Sequence, residues 1–238
     1  IPEKVVNKSK LMWLNYPNNP TGATAELDFY EKAVAFCAHH NILLASDNPY
    51  ADITYDNYHA ESALRADPSL NHSIEFLSLS KSHNMAGWRL GAAVGSEEAI
   101  KNLLHVKSNV DSGHFKPIYE AATIALDKTS TEWIHERNAI YQKRRDKIMS
   151  ALPEIGLSAR KSIASLYIWA KVVDGNVESY IADALDKAHV SIAPGGAYGP
   201  GGEGYIRLSL GVSDEELDQA LNRLKIWYSQ KINKAGIS

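Results

Sequence analysis

The spacing of apolar residues over the first fifty positions narrows the fold more than any other feature of this chain. Lys10-Leu-Met-Trp-Leu-Asn15 reads as a short strand running into a Pro/Asn-rich turn. From Glu26 to His40, Leu27, Tyr30, Val34 and Cys37 recur at helical spacing. Ile42-Leu-Leu-Ala-Ser46 is again a buried-strand run, ending at Asp47. Strand, helix, strand in that order predicts a right-handed βαβ unit and therefore a parallel sheet. Ile74-Glu-Phe-Leu-Ser-Leu79 and Leu90-Gly-Ala-Ala-Val-Gly95 read as further strands. Open α/β sheets hold ligands beyond the C-terminal ends of their strands. Asp47 and Lys81 fall there.

Downstream, Ser96 is an N-cap candidate for a helix through Val110. Pro117 to Leu126 is helical, and Thr131 to Leu152 reads as one long helix suited to bridging domains. Pro153-Glu-Ile-Gly156 breaks that pattern. Beyond it the sequence predicts a strand over Ser165–Val172, a helix over Val177–Ala188, strands over Val190–Ala193 and Tyr205–Leu210, and a final helix. Ser213-Asp-Glu-Glu216 has the capping-box form for that helix.

Composition excludes several classes. The chain has 238 residues, 45% apolar and 22% charged, as a globular protein has. A net charge of −3 gives no general attraction to nucleic acid or an anionic membrane. No apolar run is long enough to span a bilayer, and Ile-Pro-Glu-Lys is no signal-peptide start. Cys37 is the only cysteine, so no intrachain disulfide can form, which fits a reducing cytoplasm. The nine histidines show no metal-ligand spacing.

Chemistry concentrates at Ser78-Leu-Ser-Lys81-Ser-His-Asn-Met-Ala-Gly-Trp-Arg89. A lysine at the end of a buried strand is poorly placed for solvent, and burial makes its amine a nucleophile toward carbonyls. The hydroxyls of Ser78 and Ser80 and the Arg89 guanidinium suit a phosphate. A carbonyl and a phosphate on one ligand point to pyridoxal 5'-phosphate held as a lysine imine.

Two further segments join this one: Asn15-Tyr-Pro-Asn-Asn19-Pro20-Thr-Gly22 and Ser46-Asp47-Asn-Pro-Tyr50. Together the three resemble the class I/II, fold-type I, aminotransferases. The family pattern is N-P-x-G, an aspartate three residues before a tyrosine, and S-x-x-K with an arginine eight residues later. Tyr205-Ile-Arg207-Leu-Ser-Leu-Gly211 resembles the family's carboxylate-binding strand. The resemblance implies a cis peptide at Asn19–Pro20. It implies a Schiff base on Lys81, which also serves as general base. It places Asp47 at the pyridine nitrogen, Tyr50 and Asn19 at the ring's phenolic oxygen, and Arg89 with Ser78 at the phosphate, Ser80 being a further candidate. Arg207 would grip the substrate α-carboxylate through two parallel hydrogen bonds.

The implied fold is α/β, a mainly parallel sheet with helices on both faces plus a small C-terminal α+β domain. Residues 1–130 would be the remainder of the large cofactor-binding domain, 131–152 the bridging helix, and 153–238 the small domain. The N-P-x-G turn lies close to the start here, whereas the family has it well inside the large domain. The chain thus reads as a C-terminal portion. The preceding segment would carry a Gly-rich phosphate loop and an aromatic ring stacked on the cofactor. The implied function is transamination between an α-amino acid and a 2-oxo acid by a cytoplasmic homodimer. Alternatives are a β-lyase of the same fold, such as a cystathionine β-lyase, and the cofactor-sensing domain of a GntR-type regulator. Met85-Ala-Gly-Trp-Arg89 looks closest to the subgroup holding aspartate, aromatic and diaminopimelate aminotransferases.

Six of the 15 glycines lie between Gly195 and Gly204, and Gly199-Pro-Gly201-Gly-Glu-Gly204 matches G-x-G-x-x-G. A strand rather than a helix follows, so this is no dinucleotide fingerprint; it reads as a flexible active-site loop ahead of Arg207. Trp13 and Trp88 read as core residues, His83 as structural, and Lys143-Arg-Arg145 as a solvated helix face.

Overall fold

The computed structural model describes residues 1–173 and 175–235. They form two compact units: Ile1–Asn18 with Ala23–His135, and Asn19–Gly22 with Glu136–Ser238.

In the first unit, α1 (Glu3–Val6) precedes β1 (Leu11–Asn15), α2 (Leu27–His39) and β2 (Leu43–Asp47). β3 (Ser73–Ser78), α3 (Leu79–Ser82), β4 (Gly91–Gly95), α4 (Glu97–Val110) and α5 (Lys116–Lys128) follow. The sheet order is β1-β2-β3-β4. The first three strands are parallel and β4 is antiparallel to β3. The expected βαβ unit is therefore present. Side chains alternate between sheet faces. On one face, Met12, Leu14 and Leu44 meet Tyr30, Val34 and Cys37 of α2. Each fully buried side chain of this set contributes about 1.5–3 kcal/mol.

The opposite face carries Trp13 and Phe76, stacked with ring centroids 5.3 Å apart. Trp13 is 55% and Trp88 44% exposed, so neither is a core residue as the sequence predicts. Within this unit α2 covers only the other side of β1, and Trp13 finds its apolar contact edgewise along the sheet. Ser96 caps α4 as expected, its Oγ accepting from Ala99 N–H at 3.4 Å. The turn after β1 closes with Asn18 N–H donating to Ala23 O at 2.8 Å. Tyr16–Pro17 and Asn19–Pro20 are both cis.

The second unit holds most of α6 (Thr131–Ala151), then β5 (Leu157–Ala159), β6 (Tyr167–Val172), α7 (Val177–Ala188), β7 (Ala193–Pro194), β8 (Tyr205–Ser209) and α8 (Asp214–Ala235). Its sheet runs β5-β6-β8-β7, antiparallel throughout. The boundary between units falls between His135 and Glu136, inside α6. In the second unit's part of α6, Arg137, Asn138, Tyr141, Arg145, Ile148 and Ala151 are all buried. Leu152 and Ile155 are buried in the 3-10 turn that follows.

In the basic cluster on α6, Lys143 is exposed as expected, but the two arginines are not part of a solvated face. Arg145 is fully buried, donating through Nη1 to Ser162 O at 2.8 Å, and Arg144 pairs with Asp214 at 2.6 Å. Val190–Ala193 is not a strand up to Ala193. Val190 N–H donates to Ala184 O at 3.0 Å, closing the end of α7, and that donor is then lost to the ladder. The capping box of α8 is formed: Glu216 N–H donates to Ser213 Oγ at 3.2 Å and Ser213 N–H to Glu216 Oε2 at 3.0 Å.

Candidate active site

In the first unit the predicted cofactor residues gather where the parallel strands end. Asp47 is the last residue of β2, in register with Asn15 and Phe76. Asn15 Nδ2 donates to the Asp47 carbonyl at 2.8 Å, which fixes the strand end. Strand alternation puts the Asp47 and Ser78 side chains on the Trp13–Phe76 face, away from α2. Asp47 is half-buried, and that burial raises its carboxyl above the ordinary aspartate range. A carboxylate in this state gains from a cation beside it, as a protonated pyridine nitrogen would be. Asn48 N–H extends the ladder to Phe76 O at 2.9 Å, and Tyr50 is buried just beyond.

Ser78 ends β3 and caps α3, its Oγ accepting from Ser80 N–H at 3.3 Å. Lys81 is the third residue of α3 and half-buried, as the strand-end position predicts. Ser82 Oγ lies 2.8 Å from His83 Nδ1, and the His83 ring stacks on Trp133 at 6.3 Å. This supports the structural reading of His83. Arg89 is exposed in the left-handed region (φ 53°), with Nη1 donating to Ala86 O at 3.0 Å. The ends of β2 and β3 and the turns beyond them thus carry an amine, a carboxylate, a phenol, two serine hydroxyls and a guanidinium, group types suited to a ligand with an aldehyde, a ring nitrogen and a phosphate.

The second unit brings Asn19 and Arg207 together. Arg207 Nη1 donates to Asn19 Oδ1 at 2.9 Å. In β8, Ile206 points into the core and is fully buried, so Arg207 projects from the opposite face. There its Cζ lies 4.1 Å from the Tyr167 ring centroid and 4.8 Å from that of Tyr198. Sequence reasoning missed both tyrosines. Tyr167 could have been found from strand parity, since it shares a face with Trp169, which is in register with Arg207. Tyr198 carries no such signal, because it lies in a loop.

The glycine-rich segment is built rather than slack. It forms two 3-10 turns, Gly195–Tyr198 and Pro200–Gly202.

In the first unit, Asp47 and Lys81 stand at and just beyond strand ends, where open α/β sheets hold ligands. Comparison with known proteins gives the family. The family model for aminotransferase class I and II matches residues 1–224. An LL-diaminopimelate aminotransferase of Dehalococcoides mccartyi is 47% identical over 97% of this chain and 59% of its own length. LL-diaminopimelate aminotransferase 2 of Trichormus variabilis is 44% identical over 94% of the chain and 58% of its own. Among solved structures, a probable N-succinyldiaminopimelate aminotransferase of Thermus thermophilus superposes with a TM-score of 0.88 at 36% identity, covering 95% of this chain and 61% of that one. The chain belongs to the class I and II aminotransferases. It spans about six-tenths of the length of these relatives. The cofactor of the family is pyridoxal 5'-phosphate.

Proposed function

We propose that this protein catalyses transamination between an α-amino acid and a 2-oxo acid, with Lys81 as the residue bonded to pyridoxal 5'-phosphate. The observation that carries the reading is the placement of Lys81 directly after β3, with Asp47 ending the neighbouring β2. When bound, the cofactor supplies an aldehyde that exchanges amines and a ring that accepts electron density from the substrate Cα. Asp47 would hold the proton on the ring nitrogen. Tyr50 OH and the Asn19 amide would serve the phenolic oxygen. Ser78 and Arg89 would bind the phosphate and keep the cofactor in place. Lys81 would be the amine that anchors the cofactor and, when free, the general base for the substrate Cα proton. Arg207 would orient the substrate by its α-carboxylate.

The names of the relatives make LL-diaminopimelate the amino donor to assay first. They also favour transamination over the β-lyase and regulator readings. A homodimer is part of the proposal, supported by exposed apolar side chains from Leu104 to Leu126 that include Val106, Val110, Phe115 and Ile124. A cytoplasmic location is part of the same proposal; the free thiol of Cys37 is compatible with it. Among the described residues no helix is long and apolar enough to cross a membrane.

The test is glutamate formation from LL-diaminopimelate and 2-oxoglutarate by the full-length protein. Lys81→Ala is expected to lower it by at least ~10²–10⁴-fold, the usual contribution of a general base. Retained turnover in that variant would remove Lys81 from its role. Homocysteine, pyruvate and ammonia released from cystathionine without any 2-oxo acid would favour the lyase.

A further inference from the structure

We infer that the Gly195–Gly204 loop is a positioning device for Arg207, acting through the ring of Tyr198. The inference rests on the reading of Arg207 as the substrate-carboxylate residue. An arginine projecting from the open face of a sheet has many rotamers, and freezing one costs affinity. Here three contacts restrict it: the Asn19 amide oxygen at 2.9 Å, the Tyr167 ring at 4.1 Å and the Tyr198 ring at 4.8 Å. Asn19 and Tyr167 belong to segments the sequence already ties down. Tyr198 is the contact that needs explaining, because it comes from a loop.

The loop is closed by its own backbone. A Cβ on Gly195 would stand 2.2 Å from Gly202 O and 2.6 Å from Tyr205 O. A Cβ on Gly202 would stand 2.0 Å from Gly195 O. The two glycines therefore pinch the loop at its neck, and only residues without a side chain permit that approach. Inside the pinch, Gly202 N–H donates to Gly199 O at 2.9 Å, and Gly199 takes φ 117°. Tyr198 is held edge-on against Trp169 at 5.9 Å, and Trp169 is stacked flat on Tyr205 at 5.3 Å. An unbroken chain of contacts thus runs from the glycine neck through Tyr198 to the guanidinium. A preset guanidinium offers its fork to a planar carboxylate without first being ordered. Tyr198 is accordingly a positioning residue, not a catalytic one.

The experiment measures KM and kcat for LL-diaminopimelate with the cofactor-loaded, full-length protein. It compares Tyr198→Leu, Tyr198→Phe, Gly202→Ala and Arg207→Lys. Tyr198 is 38% exposed, so the leucine variant is not a core truncation. Losing one ring–guanidinium contact should raise KM by roughly 2- to 30-fold, with kcat within about twofold, the signature of lost uniform binding. Tyr198→Phe keeps the ring face and should restore KM. Gly202→Ala opens the neck and should reproduce the leucine phenotype. A raised KM in Arg207→Lys with an unchanged KM in Tyr198→Leu would overturn the loop inference and leave the Arg207 reading standing. An unchanged KM in Arg207→Lys would overturn both. A phenylalanine variant as impaired as the leucine one would also overturn the inference, because the hydroxyl and not the ring would then be acting.

Discussion

Glu75 is a carboxylate in the middle of an apolar strand, and the structure sets what its removal costs. It is 3% exposed. Oε2 accepts from Ser46 Oγ at 2.9 Å and Ala63 N–H at 3.0 Å, and Oε1 accepts from Ser62 Oγ at 2.8 Å. Ser46 and Ala63 are fully buried. Glu75→Ala would strand those two donors at about 1–3 kcal/mol each, while the half-buried Ser62 can turn to water. The expected loss is therefore roughly 2–6 kcal/mol. Glu75→Gln is different. Its amide oxygen can take the Oε2 position and keep both buried donors. Its NH2 can donate to Ser62 Oγ, whose other partner is Leu64 N–H at 3.2 Å. Only charge assistance is lost, so the glutamine variant should fall by about 1 kcal/mol. Urea unfolding of the cofactor-free protein, followed by tryptophan fluorescence, measures both. Equal losses in the two variants, or losses under about 0.5 kcal/mol in each, would refute the account of the carboxylate as a buried acceptor.

Asp47 should show stability and function pulling apart. Burial raises its folded-state pKa above the unfolded value, so the ionised form disfavours folding at neutral pH. Asp47→Asn should stabilise the cofactor-free protein at pH 7 in thermal melts. The gain should shrink as pH falls through the raised folded-state value and vanish below about 3.9, while transamination drops. Cys37 is fully buried and its thiol is pushed up to about 11 by that burial. At pH 8 its thiolate fraction is roughly two-hundredfold below that of a free cysteine. Iodoacetamide should leave it unlabelled in the native protein and alkylate it in urea; rapid native labelling would contradict the packing beneath α2.

What the sequence made legible follows from how local each signal is. The helix over Val177–Ala188 is read to the residue, because Asn176 caps its start, accepting from Glu178 N–H at 2.6 Å, and apolar spacing fills its interior. The placement of Asp47 at the end of β2 and of Lys81 in α3 just beyond β3 follows from short apolar runs that end abruptly. Arg145 was misread because nothing in Lys143-Arg-Arg145 shows the Ser162 carbonyl waiting in the fold. Trp13 was misread because alternation gives two apolar faces to β1 but cannot say which one a helix covers. β5 is three residues long, too short for any period to register. Tyr198 reaches Arg207 only because two glycine backbones touch, a contact that no spacing rule contains.

The most direct measurement is covalent mapping. The full-length protein, loaded with pyridoxal 5'-phosphate, is reduced with borohydride, digested and read by mass spectrometry. The account predicts a phosphopyridoxyl group on the peptide containing Lys81 and none in Lys81→Ala. A modified lysine elsewhere, with the Lys81 peptide untouched, would contradict it.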